Sequence, residues 1–429
     1  MSNRCHPAAT LNTDMVEPLY TLERTLLGQC QAIKNWFERE WQRTRPPVYG
    51  SVDLRNAGFK LAPIDMNLFP AGFNNLNPDH FNLSVAAAQK AIKNWVPEAK
   101  KILLIPEAHT RNLFYWSNIA TLTDILEKAG FDVRLGSFDD AFQTAQTITL
   151  PEGRDVSVLP IKREGNHLSL DGFHPDVLLL NNDLSGGIPP ILQQLAQPLL
   201  PPPELGWGHR LKSTHFQHYA AVVQEFASAM GVNPWLMAPL FRSCDAIDFM
   251  SQTGMDELIQ HASDLFAEIE AQYQAYGIKQ QPFLVVKADA GTYGMAVMTV
   301  RHIDELKSMN RKQRTRMATT KGNQPVRNVI IQEGVYTVET VGEDQAVAEP
   351  VVYLWGSEVV GGFYRVHKDK GIDESLNAPG MAFQPLAFEQ TCNKPDVTLK
   401  PDACCNRFFI YGVIARLSML AAAREMTIH

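Results

Sequence analysis

Three short apolar runs in the first half of the chain are separated by helix-length stretches. This spacing constrains the fold more than any other feature. Residues 101–105 (Lys101-Ile102-Leu103-Leu104-Ile105), 131–135 and 176–180 read as buried strands. A helix over 111–129, closed at Gly130, separates the first two. Strands joined through helices pair in parallel by crossover connections, not as hairpins. Ligands of such sheets sit beyond the carboxyl ends of the strands. Those ends carry Glu107, His109 and Arg111 after the first strand, and Asn181, Asn182 and Asp183 after the third. From residue 283 the pattern changes. Strands at 283–288, 295–300, 328–333, 346–354 and 358–366 follow one another closely, which is an antiparallel-rich α+β texture.

The fold class is therefore α/β joined to α+β. At 429 residues the chain is long enough for two or three cores. Leu19, Leu22, Leu26, Ile33, Trp36, Phe37 and Trp41 recur at helical period and predict one long helix over 14–44. The Gly-, Asn- and Pro-rich stretch 50–80 predicts a long ordered loop. Proline-rich 189–203 marks a boundary, with helices following at 208–229, 255–276 and 406–425. These signals divide the chain into a helix-and-loop region over 1–100, a parallel α/β unit over 101–235 and a strand-rich unit over 236–429.

Composition narrows the function classes. A net charge of −7 argues against a general nucleic-acid coat. The basic stretch 307–321 holds Lys307, Arg311, Lys312, Arg314, Arg316 and Lys321 but no interleaved aromatics. It reads as a solvated segment; an RNA-binding role would instead give steeply salt-dependent affinity. No apolar run approaches the roughly 18–20 residues needed to cross a bilayer. The opening residues are polar, with no secretory core. The six cysteines form no C-x-x-C pair, so reduced thiols and a cytoplasmic location are expected.

The chemistry-bearing feature is Phe283-Leu284-Val285-Val286-Lys287, a strand ending in lysine. The loop Ala288-Asp289-Ala290-Gly291-Thr292-Tyr293-Gly294 and a second strand follow. Glycines let such a loop fold closely over a polyphosphate, and the lysine sets a point charge against its oxygens. A plain hairpin with a solvated lysine is the competing reading. There is no G-x-x-x-x-G-K-[ST], no complete G-x-G-x-x-G, no H-E-x-x-H and no G-x-S-x-G. Further along, Gln332-Glu333-Gly334-Val335 ends a strand and can offer backbone groups to an adenine edge. Glu349 opens one strand and Arg365 closes another. Asn377 lies in a loop of small polar residues.

This order resembles the ATP-grasp superfamily. More narrowly, the whole chain resembles the proteobacterial ATP-grasp-type glutamate–cysteine ligases. The narrower resemblance rests on 285–295, on Gln332 to Val335, and on Gly361-Gly362-Phe363-Tyr364-Arg365-Val366. It extends to 68–75 and 105–112. It implies a Rossmann-like pre-ATP-grasp unit over 101–235 and an ATP-grasp unit over 236–429. It also implies ATP and Mg²⁺ as cofactors, and glutamate and cysteine as substrates joined through a γ-glutamyl phosphate at the first step of glutathione biosynthesis. Lys287 would bind ATP phosphates and, with Arg365, serve catalysis. Gly291, Thr292, Tyr293 and Gly294 would form the phosphate loop. Gln332 and Val335 would line the adenine pocket, with Glu333 near the ribose, and Asn377 would meet a phosphate or metal.

The chain departs from the superfamily in one respect: no Glu-x-Asn pair follows Arg365. Mg²⁺ is then expected on other carboxylates, Glu349 or Glu374. For an amino-acid substrate Arg55, Lys60, Asp65, Asn67, Asn74 and Asn75 crowd one loop region, and Arg111, Asn182, Asp183, Trp207, His209 and Arg210 are further candidates. No membrane or nucleic-acid partner is implied, and a homo-oligomer is compatible. The alternatives are another carboxylate–amine ligase of the superfamily and a non-catalytic nucleotide-binding regulator.

Overall fold

The computed structural model describes residues 17–107, 112–291, 296–320, 325–386, 395–399 and 404–426. The alternating half forms a six-stranded sheet in the order Leu199–Leu200, Val177–Asn181, Lys101–Pro106, Asp132–Ser137, Asp155–Pro160, Gln146–Thr149. The first five strands run parallel and the last pair is antiparallel. Helix Leu113–Lys128 makes the crossover between two central strands. Both faces of this sheet are covered: Ile102 and Leu104 pack into one core, Leu103 and Ile105 into another. That is why the strand reads as a continuous apolar run without alternation.

The strand-rich half makes two antiparallel sheets. The smaller runs Phe241–Cys244, Val329–Glu333, Leu284–Ala288, Val297–Val300. The larger runs Ala382–Pro385, Glu358–His367, Ala346–Trp355, Tyr49–Asn56, Leu61–Asn67, with Thr340–Val341 paired beside Ala346–Trp355. Two of its strands come from the stretch expected to be a loop. The turn between them is tight: Ala57 N–H donates to Lys60 O at 2.8 Å, and Gly58 adopts φ +79°. Tyr49–Asn56 was hidden because it lacks the usual polar face toward water. All its residues except Asp53 are buried, and Ser51, Asp53 and Arg55 turn toward an internal cavity. A division of the chain at residue 100 therefore runs through this sheet.

The predicted N-terminal helix is two, Glu17–Gly28 and Cys30–Arg43, broken at Gln29. Gln29 Nε2 donates to Met230 O at 2.9 Å, a tertiary contact at the end of another helix. Helix Cys404–Met426 is buried around most of its circumference from Asn406 onward, as a central helix must be. It packs on helix Lys212–Met230 and on the larger sheet. Among the described residues no helix is long and apolar enough to cross a membrane.

Candidate active site

The three sheets meet around a cavity of about 370 Å³. In the smaller sheet Lys287 pairs with Val297 and Ile330, and Val285 with Thr299 and Gln332. Residues directly opposite share a face. Lys287, Val285, Val297, Thr299 and Gln332 thus turn together to the cavity, which they line. The larger sheet supplies Ser51, Asp53, Arg55, Asp65, Asn67, Glu349, Tyr353, Phe363 and Arg365. Glu107 and Asp183, at the carboxyl ends of parallel strands, close a third side with Trp207 and Lys212.

Two buried ammonium groups dominate one wall. Lys287 Nζ donates to Ile64 O at 2.7 Å, and Lys212 Nζ donates to Gly291 O at 2.6 Å. Each ammonium has three N–H donors, so both keep donors for a ligand. Lys212 also lies 3.9 Å from the centroid of the Trp207 ring. Burial lowers the pKa of both lysines, opposed first by Asp65; Lys212 comes down to about 8. Burial works against the Asp65 charge, but Lys212, Lys287 and Arg210 outweigh it and hold the carboxyl below its usual range.

Lys212 was not singled out from the sequence. Its place is set by the glycine loop's base. Asp289 accepts from Ser213 N–H at 2.7 Å and from Ser213 Oγ at 2.5 Å, and Lys212 N–H donates to Asp289 O at 2.9 Å. A carboxylate from one element thus caps the first turn of helix Lys212–Met230. Gly291 N–H donates to Trp207 O at 3.2 Å, tying the loop to the same segment.

A row of alternating charges crosses the larger sheet. Arg55 Nε donates to Glu349 Oε2 at 3.0 Å, and Arg365 Nη1 donates to Glu349 Oε1 at 2.5 Å and to Asp53 Oδ2 at 2.9 Å. Burial disfavours the Arg365 charge, but Asp53 and Glu349 more than offset it and raise its pKa. The Arg365 strand comes close to its neighbour because Gly362 has no side chain. A Cβ there would stand 2.3 Å from Val351 O.

Of the nominated nucleotide residues, Lys287, Gly291, Gln332, Glu333, Val335 and Asn377 line the cavity. Gln332 Nε2 is buried with no partner among the described residues. Glu333 lines the cavity without its carboxylate. It pairs across the sheet with Leu284, so its carboxylate points to the opposite face from Lys287. There it accepts from Lys60 Nζ at 2.7 Å, Trp235 Nε1 at 3.2 Å and Leu240 N–H at 2.8 Å. Thr292, Tyr293, Gly294 and Arg111 lie outside the described residues.

The substrate candidates divide. Arg55 and Asn67 line the cavity, whereas Asn75 and Asn182 do not. Asn75 sits in the short turn Phe73–Asn75, and Asn182 Oδ1 accepts from Leu184 N–H at 3.1 Å. Arg210 is spent on a buried pair with Glu425 at 2.8 Å.

The expected metal ligands are also corrected. Both oxygens of Glu349 are held by guanidinium groups, whose charge would repel a cation there. Glu374 accepts from Gly371 N–H at 2.8 Å and Lys370 Nζ at 3.2 Å. No cluster of three or more metal-type side chains occurs among the described residues. The residues nominated for Mg²⁺ do not fit a protein-held ion.

With this geometry in view, comparison with known proteins is decisive. The family model for glutamate-cysteine ligase matches residues 23–426. The chain belongs to the glutamate–cysteine ligase family. It is a ligase that forms the carbon–nitrogen bond between glutamate and cysteine. The crystal structure of a candidate gamma-glutamylcysteine synthetase from Methylobacillus flagellatus superposes with a TM-score of 0.91 at 50% identity, covering 98% of each chain. A glutathione synthetase-like effector from Globodera pallida gives a TM-score of 0.36 at 12% identity, covering 81% of this chain and 78% of its own. D-alanyl-alanine synthetase A from Vibrio cholerae gives 0.34 at 12% identity, covering 74% of this chain and 81% of its own. At those scores neither bears on the fold. No curated protein matches.

Proposed function

We propose that this glutamate–cysteine ligase works by the ATP-grasp route, with the smaller sheet and the glycine loop holding ATP against the larger sheet. The observation that carries the reading is that Lys287, Lys212 and Arg365 line one cavity with apolar Val285, Val297 and Val335. A carboxylate does not acylate an amine at neutral pH. Phosphorylation makes it reactive, but two anions must then approach each other, so catalysis is mainly charge neutralisation and positioning. The two lysines supply positive charge for the polyphosphate. Arg365, braced between Asp53 and Glu349, faces the γ-carboxylate as it becomes an acyl phosphate. The apolar residues and the Gln332 amide suit an adenine base.

In this reading glutamate and ATP give γ-glutamyl phosphate and ADP, and the cysteine amine then displaces phosphate at the first step of glutathione biosynthesis. Mg²⁺ would arrive on the nucleotide's phosphates, since Glu349 and Glu374 are engaged by cations. Residues 236–429 act as the ATP-grasp unit, completed by the strands at 49–67. Free Cys30 and Cys244 suit a cytoplasmic setting. The test is ADP release with ATP, glutamate and cysteine. Release should require both amino acids; independence from either overturns the proposal.

A further inference from the structure

We propose that Asp53 accepts the proton of the amine that attacks the activated carboxylate. This rests on the acyl-phosphate reading above, because it places the attacking nitrogen beside Arg365.

An amino acid meets the enzyme chiefly as an ammonium ion, which has no lone pair to attack with. A base must stand where the acyl phosphate forms. The cavity holds several carboxylates, and their surroundings separate them. Glu349 has both oxygens on arginines. Asp65 is held ionised by Lys212, Lys287 and Arg210. Asp373 is bound to Arg301 at 2.6 Å, and Asp183 Oδ1 accepts from Ser185 N–H at 3.0 Å. Asp53 differs. Its Oδ2 touches Arg365 at 2.9 Å, while its Oδ1 has no partner among the described residues and its side chain, 21% exposed, lines the cavity. The arginine that would neutralise the reacting group therefore also fixes the carboxylate beside it.

The surroundings also favour a proton on Asp53. Glu349 faces it from the neighbouring strand, two residues from Asp53's partner Val351, and Asp65 stands directly opposite in the strand register. Tyr353 and Lys287 are its other titratable neighbours. Burial raises the Asp53 pKa, Arg365 opposes this, and Glu349 and Asp65 add to it. A base near its working pH is the effective one.

In the step, the cysteine ammonium gives one proton to Asp53 Oδ1. The freed nitrogen pair forms the C–N bond. The bond from acyl carbon to phosphate oxygen breaks, and phosphate leaves with that electron pair. The second nitrogen proton goes to the departing phosphate, and Asp53 returns its proton to water.

Hydroxylamine tests this, because it is already unprotonated at neutral pH and needs no base. Asp53→Asn keeps an acceptor for Arg365 but cannot take the proton. The variant should lose about 100-fold or more of the cysteine-dependent rate, while glutamate-dependent hydroxamate formation falls only a few-fold. The ascending limb of its kcat/KM against pH for cysteine should move up to that of the cysteine amine's own ionisation, and Asp53→Glu should restore part of the cysteine rate. Equal loss with both amines, or an unchanged cysteine rate, overturns the assignment. If D53N does not fold, Asp53→Ser is read in the same way. Wild-type enzyme that makes no hydroxamate from glutamate and ATP shows instead that the acyl-phosphate reading has failed, and the assignment falls with it.

Discussion

At the scale of single residues, the cavity is a place where charges are kept out of water and must be compensated nearby. Lys287 and Lys212 are both buried, and both lose pKa to burial. Replacing Lys287 by Met keeps the packing and removes the charge. It should lower kcat/KM for ATP by about 100- to 1,000-fold, read as ADP release with the circular dichroism unchanged. Lys212 makes a pH prediction. Its pKa is depressed to about 8, so it loses its charge as pH rises through that value. kcat/KM for ATP reports the free enzyme and should fall above that pH. Lys212→Arg stays charged and should flatten the falling limb. A limb that survives in K212R would belong to another group, such as Lys60, whose pKa burial also lowers to about 8.

At the scale of elements, local pattern was a good guide where a segment's neighbours did not alter its periodicity. The helix predicted over 255–276 is found as Met255–Tyr276, and the five strands after 283 appear within a few residues of their expected limits. Failures came where a tertiary partner replaced water. Tyr49–Asn56 turns Ser51, Asp53 and Arg55 to a cavity, so it looked like neither a core strand nor a surface strand. Had it been recognised as a strand, the spacing of those three polar residues would have exposed the cavity-lining face. The first turn of helix Lys212–Met230 is capped by Asp289, 76 residues away, which no local motif announces. Asp289→Ala should cost about 1 kcal/mol, the usual worth of a cap, seen as a lower urea midpoint. It should also raise KM for ATP, because the same carboxylate anchors the glycine loop. A normal KM with lowered stability would separate the cap from the loop.

At the scale of the whole molecule, the last helix joins helix Lys212–Met230 to the larger sheet. Glu425 near its end pairs with Arg210 at 2.8 Å, with His215 alongside at 3.4 Å. Burial works against the Glu425 charge, but Arg210 and His215 bring its pKa from 4.5 down to about 2. A carboxyl with a depressed folded pKa contributes stability above its unfolded pKa and loses it as pH falls toward the folded value. Glu425→Gln leaves Arg210 buried without its counter-charge and should destabilise by about 3–5 kcal/mol at neutral pH. The gap to wild type should shrink as pH drops from 4.5 toward about 2. Acid unfolding of the two proteins side by side checks this; a gap independent of pH would remove Glu425 from the acid response.

By itself, the sequence determined the strand and helix order, the parallel first half, the antiparallel second half and the lysine at the mouth of a glycine loop. These depend on periodicity, turn residues and strand ends, which are properties of neighbours in the chain. Only the tertiary structure decided that residues 49–67 complete the C-terminal sheet. It also turned the Glu333 carboxylate to the opposite sheet face, committed Glu349 to two arginines, and brought Lys212 and Asp53 to the site. Those outcomes depend on which sheet face a side chain occupies and which distant charge it meets. A buried charge finds its partner across space, and sequence separation carries no record of that distance.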